Sequence, residues 1–350
     1  MYNTNVCEWL LENADTPIRY RVLRELLHRE DDANALKNDL LNHPDVSRWL
    51  KNLKPETPPQ HRWMIHGARD YNFENALFKI MHLGLHAGFD EVRRAAGFYL
   101  DNFQSAASLL TASMFIAAGF DDDPILKYFL EKFDLLYRFT SQNRYDIYVS
   151  DAERAKLVGI PTIWKSKKVI KPEFFNHEHN TDTFHYPLIY DLYGLYKMYE
   201  FHDPQIGAKV DSVIRYIACD DYNNLIEDGY GIVIMGHNRY HGMGWDAKFP
   251  GWHNVKEYME NGNAPKIMFF AMLVSKYPAA VQTKWFKSLL EYFETYKTDH
   301  GFYCFPSEWL PEKSGYAVHG PHMSFGESRR KKNWREIEST FYMQLLLQNA

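Results

Sequence analysis

The sequence predicts an all-α protein whose helical pairs form a double-layered ring, an α/α toroid. Three observations favour this fold. Helix-period apolar runs recur in pairs, the first helix of a pair is apolar on most sides while the second carries charges on one face, and strands are scarce. A helix that is apolar all round must be buried, so the contrast predicts an inner and an outer layer. An open helical-repeat solenoid would bury its core in the same way and is the alternative.

The 350 residues are expected to form a single domain, because stacked helical pairs share one continuous core. Residues 1–53 predict N-terminal helical pairs that pack onto the ring, with a junction at Thr16 and Pro17. Residues 54–350 predict the main repeats and the loops that cap one end of them.

Two successive stretches, 73–103 and 105–133, are variants of one unit. Each has an apolar run, a Gly-Phe-Asp turn at Gly88 or Gly119, and a charged amphipathic run. A glycine just past a helix can adopt the left-handed conformation, and the aspartate that follows can cap the next helix. Further elements are expected as pairs over 186–217 and 264–293, a last helix over 337–347 and one short strand over 230–235.

Long connections separate the later pairs. Structureless loops of more than about 15 residues are uncommon in compact domains and are usually functional or disordered. These loops hold ten of the 16 histidines and six of the nine tryptophans, and aromatic loops can stay ordered by burying area against each other. In an up-down ring the loops between pairs emerge at one end, so we expect an ordered cap over a pocket. The loops are 54–72, 139–182, 219–263 and 298–336.

Composition excludes several classes of protein. With 45% hydrophobic and 24% charged residues, the chain has the balance of a soluble globular protein. A net charge of −5 argues against a nucleic-acid partner, and the lack of a long uncharged apolar run argues against a membrane span. The N-terminus does not match a signal peptide, and the cysteines are too widely spaced for a disulfide framework, so a cytoplasmic location is expected. The cysteines are Cys7, Cys219 and Cys304.

The helix-pair units, with the turns Asp228 to Ile232 and Asp299 to Tyr303, resemble the terpenoid cyclase and protein prenyltransferase superfamily of toroids. The likeness covers residues 70–350 and is one of pattern, since the Gln and Trp of that superfamily's repeat signature are absent. It implies the toroid fold and an isoprenoid-like substrate. The catalytic motifs do not carry over, and the aspartates that come nearest to one are expected to form a cap and a solvated turn. These are Asp121, Asp122 and Asp123.

The densest polar cluster lies at 236–246, where several glycines allow tight turns. Histidine exchanges a proton near neutral pH, tyrosine can act as a partner acid, and arginine can hold an anion. The alternative is that these side chains only brace the cap. The predicted catalytic residues are His237, Tyr240, His241 and Asp246. The predicted substrate-binding residues are Arg69, Asn238, Arg239, Trp245, Trp252, His177 and His179.

His177 and His179 would share one face of an extended segment, and a third imidazole could complete a metal site. No third ligand is fixed locally and HExxH is absent, so neither a metal nor another cofactor is expected. A polar stripe on the first repeat is equally open, since it could face a central cavity or a loop. The stripe consists of Asn75, Lys79, His82 and His86.

The first functional hypothesis is an enzyme that performs acid–base chemistry, such as lyase, isomerase, dehydratase or cyclase steps, on an isoprenoid-like or other small organic molecule. A carbohydrate-active lyase or hydrolase on the same toroid is the second. The third is a non-enzymatic helical-repeat scaffold that grips a peptide or protein. A cavity with several His and Tyr side chains near one point favours an enzyme, whereas an open groove favours a scaffold.

Overall fold

The computed structural model of the chain describes residues 4–54, 65–103, 108–174, 186–225, 229–236 and 238–349. This part of the chain is mostly helical, as predicted. Its helices are α1 (Thr4–Asn13), α2 (Thr16–Arg21), α3 (Glu30–Ala35), α4 (Lys37–Asn42), α5 (Pro44–Leu53), α6 (Phe73–His82), α7 (Asp90–Asp101), α8 (Leu109–Ala117), α9 (Asp123–Thr140), α10 (Asp151–Arg154), α11 (Asp191–Gly194), α12 (Pro204–Ile217), α13 (Asp220–Leu225), α14 (Val255–Tyr258), α15 (Ala264–Val274), α16 (Pro278–Val281), α17 (Lys284–Glu294) and α18 (Trp334–Leu347). The strands are β1 (Gly231–Gly236) and β2 (Arg239–Met243).

Three of these helices continue in a different helical geometry. A π-helical turn, Val22–Leu26, follows α2, and a 3₁₀ helix, Leu195–Phe201, follows α11. A π-helical turn, Met259–Asn263, joins α14 to α15.

The first helix of each pair is buried on almost every side. In α6 only Met81 is not buried, and in α18 the ten residues from 337 to 346 are all buried. The second helices bury one face only, as in α17, where the buried residues are Trp285, Phe286, Leu289 and Phe293. The predicted contrast between an apolar and an amphipathic helix is therefore present in the packing.

The buried helices contact one another in chain order. Helix α6 packs against α8, α8 against α11, α11 against α15, and α15 against α18. The N-terminal segment joins the two ends of this series. The π-helical turn after α2 packs against α18, and the Arg21 guanidinium donates to the His82 carbonyl at the end of α6, at 2.8 Å.

The hairpin is only half as predicted. The expected strand is β1, but the polar cluster after it forms β2 rather than a loop, with Val233 opposite His241. Two apolar residues of β1, Ile232 and Val233, are buried, so the backbone groups of this strand need hydrogen-bond partners, which the polar segment supplies. Asn238, with a φ of 54°, makes the tight turn.

The turns of the first two units differ in detail from the prediction. Gly119 has a φ of 86°, as expected, but the left-handed glycine after α6 is Gly84, at 100°, because α6 ends earlier than Gly88 requires. The three aspartates at the start of α9, the last of which is its first residue, are exposed, and Asp122 lies 3.6 Å from Arg93 without making a side-chain cap bond. Within the described ranges, no helix has the length and apolar character needed to cross a bilayer.

Candidate functional site

Three of the four long connections meet beside the start of α11. His66 comes from the first loop, Trp245 from the third, and Tyr316 and His319 from the fourth. The His66 ring lies 4.6 Å from the Trp245 ring and 5.1 Å from the Tyr316 ring, and the Trp245 and His319 rings are 6.1 Å apart. We call these four side chains the aromatic cluster. The expected meeting of loops at one end is present for these three loops.

The described part of the remaining loop, residues 139–174, packs against the hairpin, and none of its side chains belongs to the cluster. The Ile170 amide donates to the Ile232 carbonyl and the Ile232 amide donates to the Lys168 carbonyl, both at 2.9 Å. This loop therefore supports the hairpin, and through it the segment that carries Trp245.

His66 forms a close pair with a buried carboxylate. Its Nδ1 lies 2.5 Å from Oε2 of Glu74, which is fully buried in the first turn of α6. The positive end of the α6 dipole favours a negative charge there. A carboxylate oxygen can only accept, so Nδ1 carries a proton, and in the neutral form of the imidazole Nε2 is the atom with the free lone pair. That Nε2 atom is buried and has no hydrogen-bond partner among the described residues.

Two tyrosines surround the His66–Glu74 pair. The Tyr193 hydroxyl donates to Oε1 of Glu74 at 3.2 Å, and the Tyr190 hydroxyl lies 3.2 Å from Nδ1 of His66. Burial, and then the Glu74 charge, raise the pKa of both tyrosines above the ordinary value. Both hydroxyls therefore stay protonated at neutral pH, and the one that donates to Glu74, from Tyr193, stabilises the anionic form of that carboxylate.

Asn75 fastens two of the converging loops to α6. Its side-chain amide donates to the Arg69 carbonyl at 2.9 Å and to the Gly315 carbonyl at 2.8 Å. Its side-chain oxygen accepts from the Ala317 amide at 2.9 Å. The backbone on either side of Tyr316 is thus held by the residue next to Glu74, which fixes Tyr316 beside His66.

We expect Asn75→Ala to loosen both loops and to lower the free energy of unfolding by about 1–3 kcal/mol, because it leaves buried backbone groups without partners. Hydrogen–deuterium exchange should be faster over residues 65–72 and 312–319. Asn34→Ala, at an exposed position, is the control. Unchanged exchange in both loops would contradict the fastening role.

A cavity of about 550 Å³ opens beside the aromatic cluster. It lies at the end where α6, α11 and α15 begin. Burial, followed by the Lys266 charge, lowers the pKa of His319, so this imidazole is neutral at neutral pH. The lining combines aromatic and polar side chains, among them Trp245, Trp252, Tyr258, Glu257, Lys266 and His319.

Trp245 has a backbone conformation that side chains rarely adopt, with a φ of 61°. Its carbonyl accepts from the Ile189 amide at 2.9 Å, which ties it to the residue before Tyr190. Such strained residues cluster at functional sites, where the surrounding structure holds them. The surrounding structure therefore holds Trp245 in a backbone conformation that it would not adopt by itself.

No protein-family model, curated protein or solved structure matched the chain. The likeness to the terpenoid cyclase and prenyltransferase superfamily therefore stays a prediction.

Of the residues predicted for the site, three line the cavity: Trp245, Trp252 and Asp246. Asp246 was expected to be catalytic, but its carboxylate also braces the chain. One oxygen accepts from the Gly229 amide at 3.0 Å and the other from the Lys248 amide at 2.9 Å.

The remaining predicted residues stand apart from the cavity. The Tyr240 hydroxyl donates to the Val158 carbonyl at 2.8 Å, which fixes it on the neighbouring loop. Strand β2 is the outer strand of the hairpin, and its polar side chains face solvent. The other described residues predicted for the site are exposed and do not line the cavity: Asn238, Arg239, His241 and Arg69. Three predicted residues lie outside the described part of the chain: His177, His179 and His237.

Sequence reasoning missed the residues that complete the His66 site. Glu74 is the only carboxylate in the apolar run of α6, and a charge in such a run could have signalled a buried role. Tyr190 and Tyr193 are indistinguishable by pattern from core aromatics. Among the described residues, no group of three or more His, Cys, Asp and Glu side chains is arranged to hold a metal ion.

The helical members of the polar stripe of α6 contact the loop of residues 298–336, and one of them, His82, also borders a small hollow. Lys79 is almost fully buried, and its ammonium donates to Glu312 at 2.6 Å and to the Ser324 carbonyl at 2.5 Å. His82 lies 3.2 Å from the Met323 carbonyl. The loop reading is therefore correct for the helical members of the stripe. His86 lies beyond the end of the helix.

The Glu312 carboxylate makes the stability of the protein depend on pH in the acidic range. Burial alone would raise its pKa, but Lys79 and His322 lower it from 4.5 to about 2. When the pKa of a carboxyl group is lower in the folded state than in the unfolded state, the ionised group stabilises the fold at pH values above the unfolded-state pKa. This contribution is lost as the pH falls through the folded-state pKa.

Urea unfolding should therefore show stability falling between pH 4.5 and about 2. Glu312→Gln should be less stable at neutral pH and should have a flatter pH profile. Parallel profiles for the two proteins would show that Glu312 is not responsible.

Proposed function

We propose that the chain is an acid–base enzyme of α/α-toroid architecture that acts on a small polar organic molecule. The order of contacts supports the ring. The buried helices follow one another from α6 to α18, and the N-terminal segment bridges α18 and α6. The long connections then cap the end at which the buried helices begin.

The observation that carries the proposal is the His66–Glu74 pair. Glu74 holds the proton on Nδ1, which leaves Nε2 of His66 as the base, and the Glu74 charge stabilises the imidazolium that forms when Nε2 takes a proton. A scaffold that grips a peptide has no need of a carboxylate and an imidazole paired in its interior. The pair therefore favours an enzyme over a non-enzymatic scaffold.

The covering rings determine how a substrate would reach this base. Trp245 and Tyr316 pack against the His66 ring, and Tyr316 is 38% exposed, so it is the ring that can swing outward. Displacing Tyr316 would open Nε2 to a molecule in the cavity. His319 lies beside Tyr316 and also lines the cavity. Its neutral side chain can hydrogen-bond to a molecule bound there.

The lining of the cavity favours a carbohydrate-like substrate over an isoprenoid. Aromatic faces stack on the apolar side of a sugar ring, while side chains such as Lys266, Glu257 and Asn261 suit hydroxyl and other polar groups. An isoprenoid would make no hydrogen bonds to these groups, whereas a polyhydroxylated molecule can bind all three of them. We therefore favour a lyase, isomerase or dehydratase step on a polyhydroxylated molecule.

Each of these reaction types can begin when a base removes a proton from carbon, which supplies a test without a known substrate. The protein is incubated in D₂O with a panel of sugars and sugar acids, and mass spectrometry detects deuterium gain or conversion. The wild type should change at least one compound, and His66→Gln should not. A panel left unchanged by the wild type, or changed equally by both proteins, would count against the proposal.

A further inference from the structure

A second hollow lies at the opposite end of the buried helices. A cavity of about 530 Å³ is bordered by the residues that end α6, α8, α15 and α18, and we call it the lower cavity. A smaller hollow of about 90 Å³, the throat, leads from it toward Tyr193. The two share Arg21, Met81, Ala117, Met272 and Lys276 in their linings.

The throat is mostly apolar. Phe78, Phe269 and Leu273 line it together with the side chain of Met272. His82 also borders it, but burial, and then the charges of Lys79 and Arg21, lower the pKa of this imidazole well below the ordinary value, so it is neutral. A hydrocarbon chain would find apolar walls there, while the two cations of its lining, Arg21 and Lys276, are shared with the lower cavity and so lie where the throat opens into it.

Some cationic side chains at the mouth of the lower cavity are paired with carboxylates of its lining, and others are not. Arg21 is paired with Glu25 at 2.7 Å, and Lys197 with Glu200 at 2.7 Å. Two further cations of the lining, Arg24 and Lys276, form no ion pair with a carboxylate in the part of the chain that the structure describes. One further carboxylate, the exposed Glu30, also borders the cavity.

Cations are often found at helix C-termini, where they interact with free carbonyl groups, but this role does not explain Arg24 and Lys276. Arg21 already performs that role, because it donates to the His82 carbonyl at the end of α6. Lys276 instead lies over the Tyr196 ring, with its ammonium 3.9 Å from the ring centre. This contact holds a positive charge at the mouth and leaves its hydrogen-bond donors for a ligand.

We propose that the lower cavity binds a small amphiphile that has an anionic head and a hydrocarbon tail. The head lies between Arg24 and Lys276, and the tail enters the throat beside Met272. An inorganic anion would leave the apolar throat empty, and an uncharged alkane would leave the two cations without a partner. The two cations stand at the other end of the buried helices from His66, and only the far end of the throat reaches a residue of that site, Tyr193, so binding can be measured whether or not the proposed reaction occurs.

Isothermal titration calorimetry on the full chain tests this ligand class with four probes: octanoate, octyl phosphate, octanol and inorganic phosphate. We expect at least one of the two anionic amphiphiles to bind about tenfold or more tightly than both octanol and inorganic phosphate. Comparing octanoate with octyl phosphate identifies the preferred head. Binding by neither, or equal binding of octanol, would overturn the proposal.

Two sets of variants locate the site. The double variant Arg24→Gln with Lys276→Gln should weaken binding of the anionic amphiphile while leaving the affinity for octanol unchanged. Arg330→Gln with Lys287→Gln, which removes the same charges at exposed positions, is the matched control. Met272→Trp should block the throat, whereas Met272→Ala should not. Circular dichroism verifies that each variant is folded, and wild-type affinity in a folded Met272→Trp protein would exclude the throat as the tail site.

Discussion

Replacing Glu74 with glutamine is expected to slow deuterium exchange into the substrate by about 10²- to 10⁴-fold, the range that general acid–base catalysis contributes. The amide keeps the size of the side chain and can still accept from Nδ1 of His66. It removes the negative charge that stabilises the imidazolium, and it can also present its NH₂ group and reverse the tautomer of His66. The rate in D₂O, followed by mass spectrometry with the compound that the wild type changes, measures the loss.

The same substitution separates a catalytic role from a structural one. A fully buried carboxylate costs desolvation free energy, so Glu74→Gln should fold with a thermal midpoint equal to or above that of the wild type. Glu291→Gln, at an exposed position of α17, removes one carboxylate elsewhere and should exchange at the wild-type rate. If Glu74→Gln is folded and exchanges as fast as the wild type, the His66–Glu74 pair is not the base.

The sequence predicted the helical architecture but placed the candidate site in the polar cluster at 236–246 instead of at His66 and Glu74. Helical pairs, the buried character of their first helices and the meeting of long loops all follow from apolar periodicity, which is a local signal. The choice of histidine depends on which loop lies over the start of α6. Asn75 holds the loop that carries His66 in this place, because its side-chain amide donates to the carbonyls of Gly67 and Gly315, which are far apart in the chain. No pattern within either loop reveals this contact.

Tyr240 and His241 lie away from the cavity for a related reason. Their cluster has the composition of an active-site loop, but the two residues belong to a strand whose partner, β1, supplies the buried side chains. In a two-stranded hairpin packed on one face, the outer strand is polar because it faces solvent. Composition alone cannot separate a solvated strand from a catalytic loop. The tryptophan that follows the strand, Trp245, does reach the cavity.

Lys79→Met is expected to have the largest effect on stability, lowering the free energy of unfolding by about 3 kcal/mol. Lys79 is 1% exposed, and its ammonium neutralises Glu312 and donates to the Ser324 carbonyl. Methionine fills the space but leaves the carboxylate with one fewer positive partner. Arg48, 3.0 Å from Glu312, remains and limits the loss. Urea unfolding at neutral pH measures the change, and Lys287→Met provides an exposed control.

A double-mutant cycle identifies the cause of that loss. If the cost of Lys79→Met comes from an uncompensated Glu312 charge, adding Glu312→Gln should restore part of the stability, because the pair then has no buried charge left to neutralise. The coupling between the two sites should vanish near pH 2, where the Glu312 carboxylate becomes protonated. Additive effects at neutral pH would mean that Lys79 stabilises the loop only through the Ser324 carbonyl. The polar stripe of α6 would then hold the cap by hydrogen bonds rather than by charge.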